Sequence, residues 1–340
     1  MIAISNVSRI TQALIAGAYR MPCVINQHAK SKSGPVRKGL DALMVLPGLF
    51  HSLYLNFRHA AWDGSISLAI VAILKNEGPY VLEWVEYHRS IGFQKFFLYN
   101  NDSTDNVKEL LAPYIQAGIV ELIPWSGQTR QMDAYNDALN KHIRDCKYIA
   151  TIDLDEFITF GNQGTLAWLN QHIVNGVSGV GINWLIFGSS GRKNKPDGLV
   201  LESYTQRSEA SFKKNLHTKI IVDPRRVLGY CNPHFAVPLL GYHAINVSDE
   251  PMSGPFSPST QSDVPPLVYH YFCKSLEEFA LKRSRGMADN PNIRDQSDFT
   301  EHDRNEVTDA SMLPKAAEVK KRLAYLYEYG YPYGTRQAAQ

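Results

Sequence analysis

The hydrophobic pattern of residues 67–152 alternates between short apolar runs and segments with helical spacing. Four apolar runs predict buried strands: "SLAIVAIL" (67–74), "FQKFFLYN" (93–100), "GIVELIPW" (118–125) and "KYIATI" (147–152). The segments between them place apolar residues at helical spacing and predict amphipathic helices: "YVLEWVEYHRSI", "STDNVKELLAPYI" and "RQMDAYNDALNKHIRDC". Strands that alternate with helices are typical of βαβ units. We therefore expect an α/β fold, Rossmann-like, with a mostly parallel central sheet flanked by helices.

The pattern beyond residue 175 is less regular. The segments "LVLESYTQR" (199–207), "HTKIIVDP" (217–224) and "LGYHAINV" (240–247) read as further strands, and "SLEEFALKRSRGMA" (275–288) as a helix. We divide the chain into an N-terminal extension (1–64), a main domain (65–290) with a less regular C-terminal, acceptor-side region, and a partly helical tail (291–340).

The N-terminal extension contains the apolar stretch "LDALMVLPGLFHSLYLNF" (40–57). It holds Pro47 and His51 and is shorter than the ~20 apolar residues that a spanning helix needs. With Arg37 and Arg58 beside it, the stretch could lie on an anionic membrane surface, or it could be a helix packed on the domain. We see no cleavable signal peptide, and we expect a cytoplasmic protein, peripheral at the inner face of a membrane.

Composition narrows the function classes further. The 340 residues are 44% hydrophobic and carry a net charge of only +2, so the chain can bury a core and has no electrostatic footprint for nucleic acid. The four cysteines are far apart and form no CxxC pair, which argues against a disulfide scaffold or a structural zinc site.

The fourth predicted strand ends in a cluster of three acidic residues, Asp153, Asp155 and Glu156. In extended geometry Asp153 and Asp155 would project to the same side and could address one cation. Mn²⁺ and Mg²⁺ prefer such oxygen ligands, often completed by substrate phosphates. The alternative is an ordinary solvated turn.

Polar loops also follow the first two predicted strands, at what should be the same edge of the sheet. "KNEGP" supplies Asn76 and Glu77 beside a helix N-terminus, where Glu77 could bind nucleotide groups or simply complement the helix dipole. In "YNNDSTD", Asp102 could accept from a base or a ribose hydroxyl, and Asp102, Ser103 or Thr104 could instead cap the next helix.

Two histidines in strand or loop contexts are candidates for completing a metal site. His234 lies in "NPHF" and His270 in "VYHYFCKS". A neutral imidazole can ligate a metal, although a structural role is the more common reading for such a residue.

Several of these motifs, in this order, resemble a known family. "ILKNEGPYVLEWVEYHRSIGFQKFFLYNNDSTDN", "QMDAYNDAL", "IATIDLDEF", "NWLIFGSSG", "HTKIIVDP", "NPHF" and "YHYFCKSLEEFALKRSRG" together are similar to the family 92-like glycosyltransferases and, more distantly, to the inverting family 2. The resemblance covers roughly residues 67–290 and implies a GT-A fold that binds a nucleotide-sugar.

The resemblance also implies roles for individual residues. Asp153 and Asp155 match the metal- and diphosphate-binding DxD motif, with His270 as a further metal ligand and Mn²⁺ or Mg²⁺ as the cofactor. The remaining nucleotide-sugar positions are Asn76, Glu77, Asp102, Gly188, Ser189, Ser190 and Lys274. Gly191 completes the "FGSSG" turn near the donor sugar and acceptor, and Arg285 could offset the charge of the leaving diphosphate.

An inverting transfer also needs a general base near the acceptor hydroxyl. Asp197 and Glu202, which follow the glycine-rich turn, are candidates by position, and Glu156 is a third.

The function we predict is a metal-dependent, inverting glycosyltransferase, in particular a hexosyltransferase of polysaccharide biosynthesis. Its partners would be a UDP-sugar donor and a glycan or lipid-linked acceptor. One alternative is a nucleotidyltransferase, for which "ILKNEGP" is a poor match to the expected glycine-rich signature. The other is a noncatalytic carbohydrate-binding protein on the same fold, against which the intact aspartate pair argues.

Overall fold

The computed structural model describes Phe50 and residues 61–257, 262–286 and 295–334. The strands of this part are β1 (Ile66–Leu74), β2 (Lys95–Asn100), β3 (Val120–Pro124), β4 (Cys146–Thr151), β5 (Glu156–Thr159), β6 (Val177–Ile186), β7 (Gln206–Arg207), β8 (Thr218–Val222), β9 (Val227–Asn232), β10 (Phe235–Pro238), β11 (His243–Asn246), β12 (Pro251–Met252), β13 (Leu267–His270) and β14 (Val307–Thr308). The helices are α1 (Gly78–Ser90), α2 (Val107–Gln116), α3 (Gln131–Lys141), α4 (Thr165–His172), α5 (Val200–Ser203), α6 (Leu276–Ser284), α7 (Gln296–His302) and α8 (Leu313–Tyr329).

Ten of the described strands form one central sheet. Its order is β12-β11-β6-β8-β4-β1-β2-β3, with β13 paired to both β5 and β6. Strands β4, β1, β2 and β3 are parallel, and β8 runs antiparallel between β4 and β6. The predicted α/β fold, with a mostly parallel central sheet flanked by helices, is confirmed.

Strand β1 shows why the predicted strand is apolar on both faces. Successive side chains of a strand point to opposite faces of its sheet. Ile70 and Ala72 accordingly pack in the core that contains Trp84 of α1, whereas Val71 and Ile73 pack in the core that contains Tyr135 of α3. Helices therefore cover both faces of the sheet at β1, and the place left for functional groups is the ends of the strands.

The segment 199–207, predicted as a strand, is instead the short helix α5 followed by β7. The buried carboxylate of Glu83 on α1 accepts hydrogen bonds from the backbone N–H groups of Val200 (2.8 Å) and Leu201 (2.9 Å). Because these are donors that a helix start leaves unpaired, Glu83 stabilises a helical turn here. This contact is distant in sequence, so the local pattern does not reveal it.

The expected cap of α2 by Asp102, Ser103 or Thr104 is wrong. The helix begins at Val107, and Asn106 at its N-cap makes no side-chain capping bond. The Ser103 hydroxyl instead accepts from the Asn76 N–H at 3.0 Å, which ties together the loops after β1 and β2.

The C-terminal helix α8 packs against α1 and α5. Its residues Ala316, Val319, Leu323 and Leu326 are buried in the same core as Trp84. The expected helical content of this part of the chain is therefore present, and the predicted domain boundaries at 64 and 290 stay predictions.

The stretch 40–57 lies outside the described residues apart from Phe50, as does most of the predicted N-terminal extension. Within the described ranges, no helix combines the length and the apolar character that crossing a membrane requires.

Candidate active site

A cavity of ≈ 340 Å³ opens at the carboxyl ends of β1 and β4, the edge of an α/β sheet where ligands bind. Its walls come from residues far apart in sequence: Ile73, Leu74, Lys75, Glu77, Asn101, Gln131, Asp153, Leu154, Asp155, Trp184, Lys214, His217, Pro233, His234, His270, Phe272, Lys282, Arg285, Gly286, Asp298 and His302. The acidic cluster, the loop after β1 and the two candidate histidines thus meet in one place.

The acidic cluster forms a tight turn, which we call the DLDE turn (residues 153–156). The Glu156 N–H donates to the Asp153 carbonyl at 3.1 Å, so the expected extended geometry, with both aspartates on one side, is wrong. The two carboxylates diverge: Asp153 faces Lys219 of β8, and Asp155 faces α6 and β13.

Asp153 is held in place by an ion pair and a hydrogen bond. Lys219 donates to its Oδ2 at 2.8 Å and Gln131 to its Oδ1 at 2.8 Å. Burial acts to raise the pKa of Asp153, but the Lys219 ammonium outweighs it and the pKa stays below its ordinary value. Asp153 is therefore ionised at neutral pH.

Asp155 is paired with Lys282 of α6, whose ammonium donates to Oδ2. His270 Nε2 lies 3.5 Å from the same oxygen. Burial opposes ionisation, yet Lys282 and His270 hold the pKa of Asp155 well below its usual range.

Glu156 differs from its two neighbours because it is fully buried. Burial raises its pKa to about 8, against the pull of Lys219, whose ammonium is 3.5 Å from Oε2. At neutral pH this carboxyl is mostly protonated. The three acidic residues are tolerated side by side because two are ion-paired with lysines and the third is largely neutral.

His270 is the cross-strand partner of Glu156 in the β13–β5 pair. Its Nδ1 lies 4.0 Å from Glu156 Oε1, and both atoms are buried without a hydrogen-bond partner in the described part of the chain. The imidazole thus has one nitrogen toward Glu156 and the other toward Asp155.

A divalent cation fits part of this arrangement. Two donors bound to one octahedral cation at about 2.1 Å lie about 3 Å apart, close to the separation of Asp155 Oδ2 and His270 Nε2. Among the described residues, no three His, Cys, Asp or Glu side chains gather closely enough to hold a metal ion. A metal here would therefore have two protein ligands, and substrate oxygens and water would have to complete its shell.

Glu77 lies in the cavity wall and is paired with Arg285, at 2.9 Å between Nη1 and Oε1. Burial raises its pKa although Lys274 and Arg285 oppose this, and its Oε2 is buried without a partner in the described residues. Arg285 also donates to the carbonyls of Lys75 and Asn76. This corner can therefore offer both a cation and an acceptor to a ligand.

The side chains of Asn76 and Asp102 accept hydrogen bonds from neighbouring loops, and their roles in nucleotide binding stay predictions. Asn76, at φ 54°, accepts from the Thr104 N–H at 2.7 Å. Asp102 accepts from the Ser126 hydroxyl at 2.6 Å and lies outside the cavity wall, where Asn101 takes part instead.

The FGSSG turn (residues 187–191) does not reach the cavity wall either. The Ser189 N–H donates to Asp303 Oδ1 at 2.6 Å, and the Ser190 N–H donates to Asn305 Oδ1 at 2.8 Å. Gly188 packs so closely that a Cβ would lie 2.3 Å from the Arg304 carbonyl oxygen. The turn is anchored to the segment 303–305, and its role in binding the donor sugar stays a prediction.

Lys274 and the two candidate bases also lie outside the cavity wall. The Lys274 ammonium sits 3.8 Å from the centre of the Tyr80 ring. Asp197 is in an exposed loop, and Glu202 on α5 pairs with Lys320 at 2.6 Å. The role of each stays a prediction.

Sequence reasoning missed two lysines and most of one wall. Lys219 and Lys282 lie within two of the quoted motifs, but no role was predicted for either, and their contacts with the DLDE turn identify them. The cavity is also lined by four rings that we call the ring wall, namely Trp184, His217, His234 and His302. Of these, the sequence singled out only His234.

A family model described as "Glycosyltransferase family 92" matches residues 72–243, half of the chain. The matched span begins within β1 and ends at the first residue of β11, so it contains the DLDE turn and Lys219 and stops before His270 and Lys282.

Curated plant proteins match a shorter part. A protein of Oryza sativa subsp. japonica described as a glycosyltransferase family 92 protein is 30% identical over 147 residues, which are 42% of this chain and 25% of the relative. Another from Ricinus communis, described in the same way, is 29% identical over 144 residues, 41% of this chain and 26% of the relative. The chain thus spans about a quarter of the length of the curated relatives it matches.

Among solved structures, the crystal structure of S. aureus TarS 1-349 in complex with UDP-GlcNAc aligns with 78% of this chain and 73% of its own, at 11% identity and a TM-score of 0.39. A TM-score this low carries no argument about this chain.

Proposed function

The chain belongs to glycosyltransferase family 92, and from this premise we propose that it is a metal-dependent, inverting glycosyltransferase. It transfers a hexose from a UDP-sugar to a glycan or lipid-linked acceptor. Because the chain spans only about a quarter of its curated relatives, the activity itself is part of the proposal.

The observation that carries the proposal is the pairing of acidic and basic groups around Asp155. The ionised Asp155 carboxylate, the His270 imidazole, whose pKa burial lowers, and the Lys282 ammonium meet within one cavity at the carboxyl ends of parallel strands. Diphosphate is an anion that needs such cations, and a divalent cation needs such donors.

Asp155 and His270 are the residues that would hold Mn²⁺ or Mg²⁺. Such an ion, when bound, supplies positive charge that stabilises a leaving diphosphate. Asp153 contributes to the negative potential of the same turn while its own charge is largely balanced by Lys219.

The basic residues of the cavity would bind the diphosphate directly. Lys75, Lys282 and Arg285 all line the cavity. They would orient the donor and offset charge that builds on the leaving oxygen. Glu77 and Asn101, in the same corner, would accept from or donate to the nucleoside.

The proposal is tested by calorimetric titration of the full chain with UDP and with GDP, with and without Mn²⁺. We expect UDP binding that strengthens at least tenfold with Mn²⁺ and that loses this gain in Asp155→Ala. Asp197→Ala, a carboxylate in an exposed loop, is the matched control and should bind UDP as the wild type does.

Failure of the folded wild type to bind either nucleotide would reject the donor site. Nucleotide binding that is equal with and without Mn²⁺ would reject the metal. Tighter binding of GDP than of UDP would reject the assignment of the donor.

A further inference from the structure

Part of the ring wall packs around Trp184 of β6, whereas His302 stacks on the neighbouring Phe272 with ring centroids 4.1 Å apart. His217 stacks on the indole, with ring centroids 4.8 Å apart and planes 21° apart. His234 meets it edge-on at 5.0 Å, and His270 lies 4.3 Å away on another side. This part of the ring wall therefore adjoins the residue proposed to hold the metal.

Backbone carbonyls fix the tautomer of the three histidines in the wall. Nδ1 of His217, His234 and His302 lies 3.0, 3.0 and 2.8 Å from a carbonyl oxygen, of Lys214, Thr218 and Asp298 respectively. A carbonyl can only accept, so each Nδ1 carries the proton. Each neutral ring then has an unprotonated Nε2 with a free lone pair.

The surroundings keep these rings neutral. Burial lowers the pKa of His217, takes that of His302 to about 4 and takes that of His234 to about 3. In the described part of the chain none of the three Nε2 atoms has a hydrogen-bond partner, so three acceptors are available on one wall.

Trp184 supplies the complementary donor. The residue is only 8% exposed, and its Nε1–H is buried without a hydrogen-bond partner among the described residues. Leaving such a donor unpaired costs free energy, and buried polar groups in proteins are nearly always paired. An unpaired indole N–H at a cavity wall therefore indicates a ligand atom that accepts from it.

The ligand that fits these groups is not a metal ion. Within the described ranges, no three metal-binding side chains converge, and an indole N–H does not coordinate a cation. Three acceptors and one donor on flat rings instead suit a molecule with several hydroxyl groups and an apolar face, which is the character of a pyranose sugar.

We propose that the ring wall is the acceptor subsite and binds a saccharide, with sugar hydroxyls donating to the histidine Nε2 atoms and a sugar oxygen accepting from Trp184 Nε1. This inference rests on the proposed function, which places the donor beside Lys75, Glu77 and Arg285 of the same cavity. The acceptor would then lie against His270, next to the diphosphate site.

The test is saturation-transfer NMR on the full chain with three probes: methyl β-D-galactopyranoside, methyl β-D-glucopyranoside and methyl α-D-mannopyranoside. Each is measured with and without UDP and Mn²⁺. The variants are Trp184→Phe, which keeps an aromatic ring and removes the donor, and His217→Phe, which removes an acceptor. His217 is half-buried, so its variant carries the test even where Trp184→Phe does not fold.

The chain offers a matched control in His172→Phe. His172 stacks on Trp168 with centroids 3.9 Å and planes 22° apart, as His217 does on Trp184, but this pair lies outside the cavity wall. We expect at least one probe to give a signal that falls fivefold or more in Trp184→Phe and His217→Phe and is unchanged in His172→Phe, with UDP affinity within twofold throughout.

Absence of a signal from all three probes with the folded wild type would overturn the proposal, as would a signal that both ring-wall variants retain. A saccharide signal that depends on the ring wall in a chain that binds no UDP would keep the subsite and reject the proposed function. The two failures are therefore distinguishable.

Discussion

The DLDE and FGSSG turns follow two strands of one sheet, β4 and β6, and have opposite relations to their surroundings. In the DLDE turn, Asp153 and Asp155 face lysines from other elements and line the cavity. In the FGSSG turn, the N–H groups of Ser189 and Ser190 bind the side chains of Asp303 and Asn305. The two turns therefore differ in the segments that they contact.

The two turns also differ in their position, since the DLDE aspartates line the cavity and the FGSSG residues do not. Segment 303–305 accepts from the N–H groups of Ser189 and Ser190, and a Cβ on Gly188 would collide with this segment. In the DLDE turn, the carboxylates of Asp153 and Asp155 line the cavity. Two lysines balance their negative charge and leave the cavity open. A polar turn at the end of a strand is thus a potential site only where the tertiary structure leaves it open.

The largest expected effect comes from removing the Lys219 ammonium, which pairs with acidic side chains of the DLDE turn. Lys219→Met leaves Asp153 and Glu156 without their partner, and Lys219 is only 1% exposed. Breaking a buried ion pair costs about 3–5 kcal/mol, and we expect about 3 kcal/mol here because the Asp153 side chain is 35% exposed to water. Urea unfolding at pH 7.5 measures the loss.

The control for this variant is Lys320→Met, which removes the partner of Glu202 in a pair whose lysine side chain is 53% exposed. An exposed pair contributes about 0–1 kcal/mol, so this variant should unfold nearly as the wild type does. Equal losses in the two variants would contradict the importance we give to Lys219.

A smaller effect should follow from crowding the FGSSG turn. Gly188→Ala places a methyl group 2.3 Å from the Arg304 carbonyl oxygen, and overpacking of this kind costs about 1–3 kcal/mol. UDP affinity should be unchanged, since the turn lies outside the cavity wall. Thermal unfolding and calorimetry measure the two quantities.

Gly164→Ala is the control, because the added Cβ would meet nothing closer than the Ala167 Cβ at 3.8 Å. A stable Gly188→Ala variant with weakened UDP binding would place the FGSSG turn in the donor site after all, as the sequence resemblance implied.

The smallest effect concerns pH and the strand that the DLDE turn leads into. His88 on α1 accepts from the Ile158 N–H of β5, and burial lowers its pKa to about 3, from 6.5. Because the folded state disfavours the protonated ring, His88 contributes its full stability above pH 6.5 and loses it as pH falls toward 3.

Between pH 7 and 5.5 this loss should be about 1 kcal/mol, since one pKa unit corresponds to 1.36 kcal/mol. His88→Gln, which can still donate to Trp84 and accept from Ile158, should therefore lose about 1 kcal/mol less than the wild type over that range. Urea unfolding at the two pH values measures this, and equal slopes for both proteins would refute it.

The sequence was sufficient for the parallel strands and for the place of the acidic cluster, because both follow from local patterns. A continuous apolar run such as "SLAIVAIL" predicts a strand that is buried on both faces of its sheet. Because such strands are parallel, their carboxyl ends lie at the same end of the sheet. Contacts between distant segments could not be predicted from the sequence. Glu83 stabilises a helical turn at the start of the segment 199–207, which was predicted to be a strand. Lys219 and Lys282 balance the negative charge of the two aspartates.

The ring wall likewise could not be predicted from local sequence patterns. Trp184, His217 and His302 come from three elements, and each alone reads as an ordinary buried aromatic or histidine. Their shared property, a free Nε2 or Nε1–H beside a cavity, depends on which carbonyl each ring meets. That information exists only in three dimensions.

The position of β13 in the sheet has a consequence for synthesis of the chain on the ribosome. This strand is made long after β5 and β6, yet it fills the gap between them and brings His270 opposite Glu156. Until residue 270 has emerged, β5 lacks its partner among the described strands, the carboxyl end of β6 is unpaired with β13, and the acidic turn lacks its histidine. Unpaired strands are prone to aggregation, so we expect nascent chains that end between β6 and β13 to aggregate more readily than the full chain.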